Sequence, residues 1–256
     1  MKIKVFKTKH SMGKAAAEEA ARILLDTIKK KGEATFIAAI AATGASQFEF
    51  LENLTNISSI DWSKTTMFHL DEYIGFPETH PASFRKYLKE RFINKVHPEN
   101  VHLINGDAKD PELECERLNK IIKQKKIDVA FVGIGENGHL AFNDPPADFD
   151  TKKPYLVVEL NDACRKQQLG EGWFKSLDEI PRQAISMSIK QIMKSKNIIC
   201  TVPDMRKAQA VKDCFGDQNI SREHPAPILK NHENVFSFLD KDSAKLLKQK
   251  NKLENY

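Results

Sequence analysis

The sequence predicts an α/β protein in one domain, with three layers: a mostly parallel sheet held between helices. Three observations predict it. Short, near-continuous apolar runs recur along the chain, helix-periodic stretches separate them, and no repeat or low-complexity linker divides the 256 residues. Runs that are apolar at nearly every position suit strands buried on both faces, and the helices between them are the connections that parallel strands need.

Taken in order, Ala15 to Lys30 places Ala16, Ala20, Ile23, Leu24 and Ile28 at helical spacing and stops before Gly32, which predicts a helix. Thr35–Thr43 (TFIAAIAAT) reads as a buried strand, after which Gly44 opens a turn into a helix over Phe48–Leu54. Thr66–Leu70 is the next strand, and Ala82–Val96 a long helix capped near Ser83. A helix over Pro111–Lys126 leads into Ile127–Ile134, the clearest buried strand. Ala184–Ile189, Asn197–Val202 and Asn234–Leu239 are strand candidates, with helices over Met205–Cys214 and Lys241–Lys252. Residues 1–256 read as a single domain, with 148–178 as its least regular part, an insertion or candidate lid.

Composition narrows the function classes. Hydrophobic residues at 41% and charged residues at 29% are ordinary for a globular protein. The net charge of +5 is mild and spread out, which fits an anionic small molecule better than a nucleic acid. Cys115, Cys164, Cys200 and Cys214 lie far apart without a CxxC pair, as in reduced, buried thiols. No apolar stretch follows the basic start, and no run approaches the ~20 apolar residues of a membrane span, so the expected setting is the cytoplasm, without a membrane partner.

In open α/β sheets ligands sit beyond the carboxyl ends of the strands. Three loops follow strong strands: Thr43–Gln47, Asp71–His80 and Gly133–Asp144. The first, within ATGASQ, offers the hydroxyls of Thr43 and Ser46, a close backbone approach at Gly44, and the free amides of a helix start, which suit an anion. Taken alone, an ordinary strand-to-helix turn with an N-cap explains it better. In LDEY, Asp71 and Glu72 must point to opposite faces of a strand, so one of them can enter a shared cleft and act as a general base. A solvated acidic turn is the alternative.

The third loop, FVGIGENGHLAFNDPP, places Gly133, Gly135 and Gly138 in a formal GxGxxG pattern. Pro145 and Pro146 leave no room for the helix that a dinucleotide site needs, so the glycines instead shape a tight loop that presents His139 and lets a sugar approach. His139 lies two residues from Asn137 and five from Asp144, polar neighbours able to orient an imidazole. His10, His69, His80, His97, His102, His224 and His232 show no close metal-ligand spacing, so no metal is expected.

In order and spacing, TGAS, LDEYIGFPETHPASF and GIGENGHLAFNDP resemble the glucosamine-6-phosphate deaminase/isomerase family, and VPDMRKAQAV and HPAPIL resemble later segments of it. The resemblance implies a Rossmann-like domain. It implies an enzyme that opens a hexosamine 6-phosphate, moves a proton from C2 to C1 and releases ammonia as a ketose phosphate forms, without a cofactor. By resemblance Asp71 is the base at C2 and His139 the acid/base at the ring oxygen. The phosphate lies against Thr43, Gly44, Ala45 and Ser46, with Lys207 as its cation. The possible assembly is a homo-oligomer.

Two positions depart from the family pattern, Asn137 where it has Asp and Asp144 where it has Glu. An amide brings no charge to stabilise an imidazolium, and Asp144 is one methylene short; Glu72 is a candidate to supply the charge. The segment Asp150–Leu156 holds Lys152 and Lys153 out of register with the family's basic regulatory stretch, so allosteric control of that kind is not expected. The related 6-phosphogluconolactonases share the fold, yet LAFN after His139 and Tyr73 after the acid pair side with the deaminases. The third reading is a sugar-phosphate-binding homologue impaired by Asn137.

Overall fold

The computed structural model describes residues 1–39, 46–170, 172, 174–216, 219–247 and 253–255. The chain runs through β1 (Lys2–Phe6), α1 (Lys9–Lys31), β2 (Ala34–Ala38), α2 (Ser46–Thr55), β3 (Thr65–His69) and β4 (Asp71–Tyr73). Next come α3 (Phe84–Leu88), α4 (Asn94–Val96), β5 (Asn100–His102), α5 (Pro111–Ile122) and β6 (Val129–Val132). Then follow β7 (Tyr155–Glu159), α6 (Asp162–Gly170), β8 (Gln183–Met187), α7 (Ile189–Ile192), β9 (Asn197–Val202), α8 (Ala208–Phe215), β10 (Val235–Asp240) and β11 (Leu253–Asn255).

Among the described residues, eight strands form one parallel sheet in the order β11-β1-β10-β9-β6-β2-β3-β5. Strand alternation separates two apolar layers on its faces. Phe36 and Ala38 of β2 and Phe131 of β6 join α1 and α2 on one side. Ile37, Ala130 and Val132 join α5 and α8 on the other. This is the α/β architecture the apolar runs predict.

Local chemistry sets the helix bounds. The Thr8 hydroxyl accepts from the Ser11 amide and Ser11 answers it, closing a capping box on α1, while Gly32 ends the helix at φ +81°. Met12, Ala16, Ala20 and Leu24 bury one face, and Gly13 allows close approach to α2, because a Cβ there would lie 2.9 Å from Glu49. Ser83 caps α3 as expected, but the long helix to Val96 is interrupted by a π-helical stretch over Lys89–Ile93.

Other expectations need correction. The strand over Ala184–Ile189 leaves the main sheet: as β8 it pairs antiparallel with β4 and β7 in a separate three-stranded sheet. Of the helix expected over Lys241–Lys252, residues 241–246 form turns instead, since the Asp240 carboxylate accepts from the Ser243 amide at 2.7 Å and turns the chain; residues 248–252 lie outside the described residues. The irregular stretch 148–178 contains β7 and α6. No described helix is long and apolar enough to cross a membrane.

Candidate active site

The carboxyl ends of four neighbouring strands, β9, β6, β2 and β3, open onto one cleft, where α/β sheets place their ligands. Each supplies a different part: Ala39 after β2, Asp71 after β3, the glycine loop with His139 after β6, and Lys207 after β9. The predicted phosphate loop begins beyond Ala39. Thr43, Gly44 and Ala45 lie outside the described residues, and Ser46 is described only as the first residue of α2.

Asp71 opens β4 opposite Ser186 of β8, and the alternation of the strand sends it and Glu72 apart, as expected. Asp71 faces the cleft, 7% exposed. Burial, with the charge of Glu72 added, pushes its carboxyl up to about 8. Glu72 turns the other way. Fully buried, it accepts from the Tyr73, Phe84 and Arg85 amides at 3.0, 3.1 and 2.8 Å and from the Ser83 hydroxyl at 3.0 Å, anchoring the start of α3. The expectation that Glu72 binds substrate or lends charge to His139 is therefore corrected: its carboxylate is committed to a helix N-terminus.

The loop after β6 closes tightly. The Gly135 amide donates to the His139 carbonyl at 3.0 Å and the Gly138 amide to the Gly135 carbonyl at 3.0 Å. Gly138 has φ +82°, a conformation that favours glycine, and a Cβ there would meet Cys214 Sγ at 3.5 Å, so the residue serves the turn that presents His139. Gly135 lines the cleft, and the imidazole of His139 lies where its side chain would be: a Cβ would stand 2.2 Å from His139 Cε1. Gly135→Ala is therefore expected to displace the ring and lower kcat about a hundredfold with the fold intact, as kinetics and circular dichroism would record.

His139 Nδ1 stands 3.1 Å from Asp144 Oδ1, a buried contact lying off the line of a hydrogen bond. The shorter acid reaches the ring after all. Asn137 braces both partners: its Nδ2 donates to Asp144 Oδ1 at 3.1 Å, and its Oδ1 accepts from the His139 amide at 3.1 Å. Burial alone would raise the Asp144 carboxyl. The contact with His139, the Asn137 amide and the Asn161 backbone outweigh burial and hold it below the usual carboxylate value.

Sequence reasoning missed three supports. Gln167 and Gln168 of α6 line the cleft; Gln167 Oε1 accepts from the Glu136 amide at 2.8 Å and Gln168 Oε1 from the Tyr73 hydroxyl at 2.6 Å. The only available signal was a pair of amides within 148–178, the stretch whose sequence pattern is least regular. Asn143 donates to the Leu140 and Met187 carbonyls at 2.7 and 2.8 Å, tying the histidine loop to the small sheet beside Asp71.

Lys207 is buried on the cleft at the end of a tight turn, Met205–Lys207. The preceding Asp204 sits at φ 77°, ψ 144°, a region that glycine alone adopts readily, held by amide contacts of 3.2 and 3.1 Å to the Asp240 carboxylate. Such strain costs about 1–3 kcal/mol. Asp204→Gly is expected to raise the melting temperature, after glycine's own loss of about 0.5–1 kcal/mol, while loosening Lys207 and raising KM; denaturation scans and kinetics test both.

Comparison with known proteins decides the family. Residues 7–237 match the family described as glucosamine-6-phosphate isomerases/6-phosphogluconolactonase. The chain belongs to this family. It is 34% identical to a glucosamine-6-phosphate deaminase of Thermoanaerobacter sp. (strain X514), over 96% of this chain and 95% of that protein. To glucosamine-6-phosphate deaminase 1 of Bacillus subtilis (strain 168) it is 34% identical over 89% and 93%. The solved structure of a monomeric glucosamine-6-phosphate deaminase superposes with a TM-score of 0.85 at 30% identity, covering 96% of this chain and all of that one. The 6-phosphogluconolactonase of Trypanosoma brucei shares the fold, with a TM-score of 0.76 at 18% identity over 96% of this chain and 98% of that one.

Proposed function

We propose that the chain is a hexosamine-6-phosphate deaminase: it opens the sugar ring, moves a proton from C2 to C1, and releases ammonia as water hydrolyses the resulting imine to a ketose 6-phosphate. The observation that carries this reading is one cleft holding a carboxyl raised to about 8, Asp71, together with the His139–Asp144 pair and buried Lys207. A carboxylate with a raised pKa is suited to take a proton from carbon beside a carbonyl or iminium and return it at the next carbon. With Nδ1 turned to Asp144, Nε2 is the nitrogen left to serve the ring oxygen. Lys207 and the loop leading into α2 supply the cation and helix amides for the phosphate. Asn137 and Asp144 hold the imidazole in place.

This chemistry calls for no cofactor. A cytoplasmic setting, assembly of copies into a homo-oligomer, and closure of 148–178 as a lid over the bound sugar belong to the same proposal. Incubation with glucosamine 6-phosphate, galactosamine 6-phosphate and 6-phosphogluconolactone, with ammonia, ketose phosphate and acid release followed, tests it. Equal molar ammonia and ketose phosphate from at least one hexosamine is the expected result. Lactone hydrolysis alone, or tight sugar-phosphate binding without turnover, overturns it.

A further inference from the structure

We infer that His139, Asp144 and Cys164 form a zinc site whose occupancy switches the enzyme off. Their positions, spread over 26 residues of sequence, conceal this from any spacing rule; the fold brings His139 Nδ1, the Asp144 carboxylate and Cys164 Sγ within 4.8 Å of one another. Two ligands of one tetrahedral zinc, bound at about 2.0–2.2 Å, stand roughly 3.3 Å apart. The 3.1 Å between His139 Nδ1 and Asp144 Oδ1 already has that spacing. Cys164, in the first turn of α6 and fully buried, closes the set by a small approach of its side chain.

A second observation also points to a ligand. His139 Nδ1 is a buried nitrogen without a hydrogen-bond partner, on a side chain only 10% exposed. A cation between it and Asp144 would satisfy the nitrogen that the off-line carboxylate does not. The carboxylate is itself held as a metal ligand commonly is: Asn137 Nδ2 donates to one oxygen at 3.1 Å and the Asn161 amide to the other at 3.2 Å.

Imidazole, carboxylate and thiolate together suit zinc rather than magnesium or calcium, which take oxygen. Three protein ligands leave a fourth position for water. As the zinc–sulfur bond forms, the Cys164 thiol gives its proton to solvent, and no electron is transferred. Zinc on Nδ1 replaces the contact through which Asp144 orients the imidazole and leaves the ring a single proton, on Nε2. It also fastens α6, which carries Gln167 and Gln168, to the histidine loop.

The inhibition rests on the proposed deaminase activity, whereas the binding does not. Metal-free full-length protein is titrated with zinc by calorimetry and, separately, with cobalt in an absorption cell. One zinc per chain is expected, along with a thiolate-to-cobalt charge-transfer band and a rise in melting temperature with zinc concentration. Cys164→Ala and Cys164→Ser should lose the band and weaken zinc binding by at least the roughly 10–100-fold that even an outer-shell partner is worth. Cys164→Ala should continue to turn over hexosamine phosphate in zinc that stops the wild type, and a chelator should restore the wild type. A cobalt spectrum of the wild type without a thiolate band needs no variant and overturns the site, as does equal zinc affinity in Cys164→Ala. Zinc bound as described by a protein that turns over no hexosamine phosphate leaves the site standing and removes the deaminase reading alone.

Discussion

Asp71→Asn is expected to lower turnover by about 10²–10⁴-fold, the usual contribution of a positioned acid/base group, while stabilising the fold. The two effects share one cause. Asp71 keeps its proton up to about pH 8 in the folded protein, against 3.8 for an unperturbed aspartate. Between these values the unfolded chain binds fewer protons than the folded one, so stability falls as pH rises, by about 1.4 kcal/mol per pH unit for one such group. Asparagine carries no such charge. The gain in melting temperature should therefore be small near pH 4, grow towards pH 8 and level off above it. Thermal denaturation at several pH values, with kcat measured beside it, checks both; a gain independent of pH would remove the raised carboxyl from the account.

Asp144→Asn is the second large effect. The exchange keeps the shape of the side chain but removes the charge that stands 3.1 Å from His139 Nδ1. In another enzyme class, neutralising the acid behind a catalytic histidine costs about 10⁴ in rate, and a loss of 10²–10⁴ in kcat is expected here. The converse exchange, Asn137→Asp, should bring no gain. Asn137 Nδ2 donates to Asp144 Oδ1 at 3.1 Å, and a carboxylate there would set two like charges against each other, so that one of them keeps a proton. A large gain with Asn137→Asp would mean instead that the site is crippled by its amide.

These two residues also show what the sequence could reveal. Asp71 and His139 were legible because each follows a buried strand whose apolar run marks it, and strand ends are where α/β sheets place ligands. Reading Asn137 as a loss was natural, since whether a shorter acid reaches depends on how the loop closes. That closure comes from the Gly135–His139 backbone hydrogen bond and from Asn143 reaching the Met187 carbonyl, 44 residues away. Glu72 misled for a similar reason: its partners at Ser83, Phe84 and Arg85 lie 11–13 residues on, beyond the reach of strand alternation. β1 and β7 went unread because charged residues crowd their apolar positions: Lys2, Lys4 and Lys7 in and beside KIKVF, and Lys152, Lys153 and Glu159 in and beside YLVVE. The described part of the helix predicted over Lys241–Lys252 gives way to turns through one side chain, Asp240, whose carboxylate captures the Ser243 amide.

The central claim is that a single cleft carboxyl, Asp71, carries the proton in a deamination. Ammonia release from glucosamine 6-phosphate by the wild type and by Asp71→Asn, at equal concentration and matched pH, tests it most directly. Stoichiometric ammonia and ketose phosphate from the wild type, with the variant slower by at least about a hundredfold, is the predicted result. A variant that releases ammonia as fast as the wild type would contradict the account.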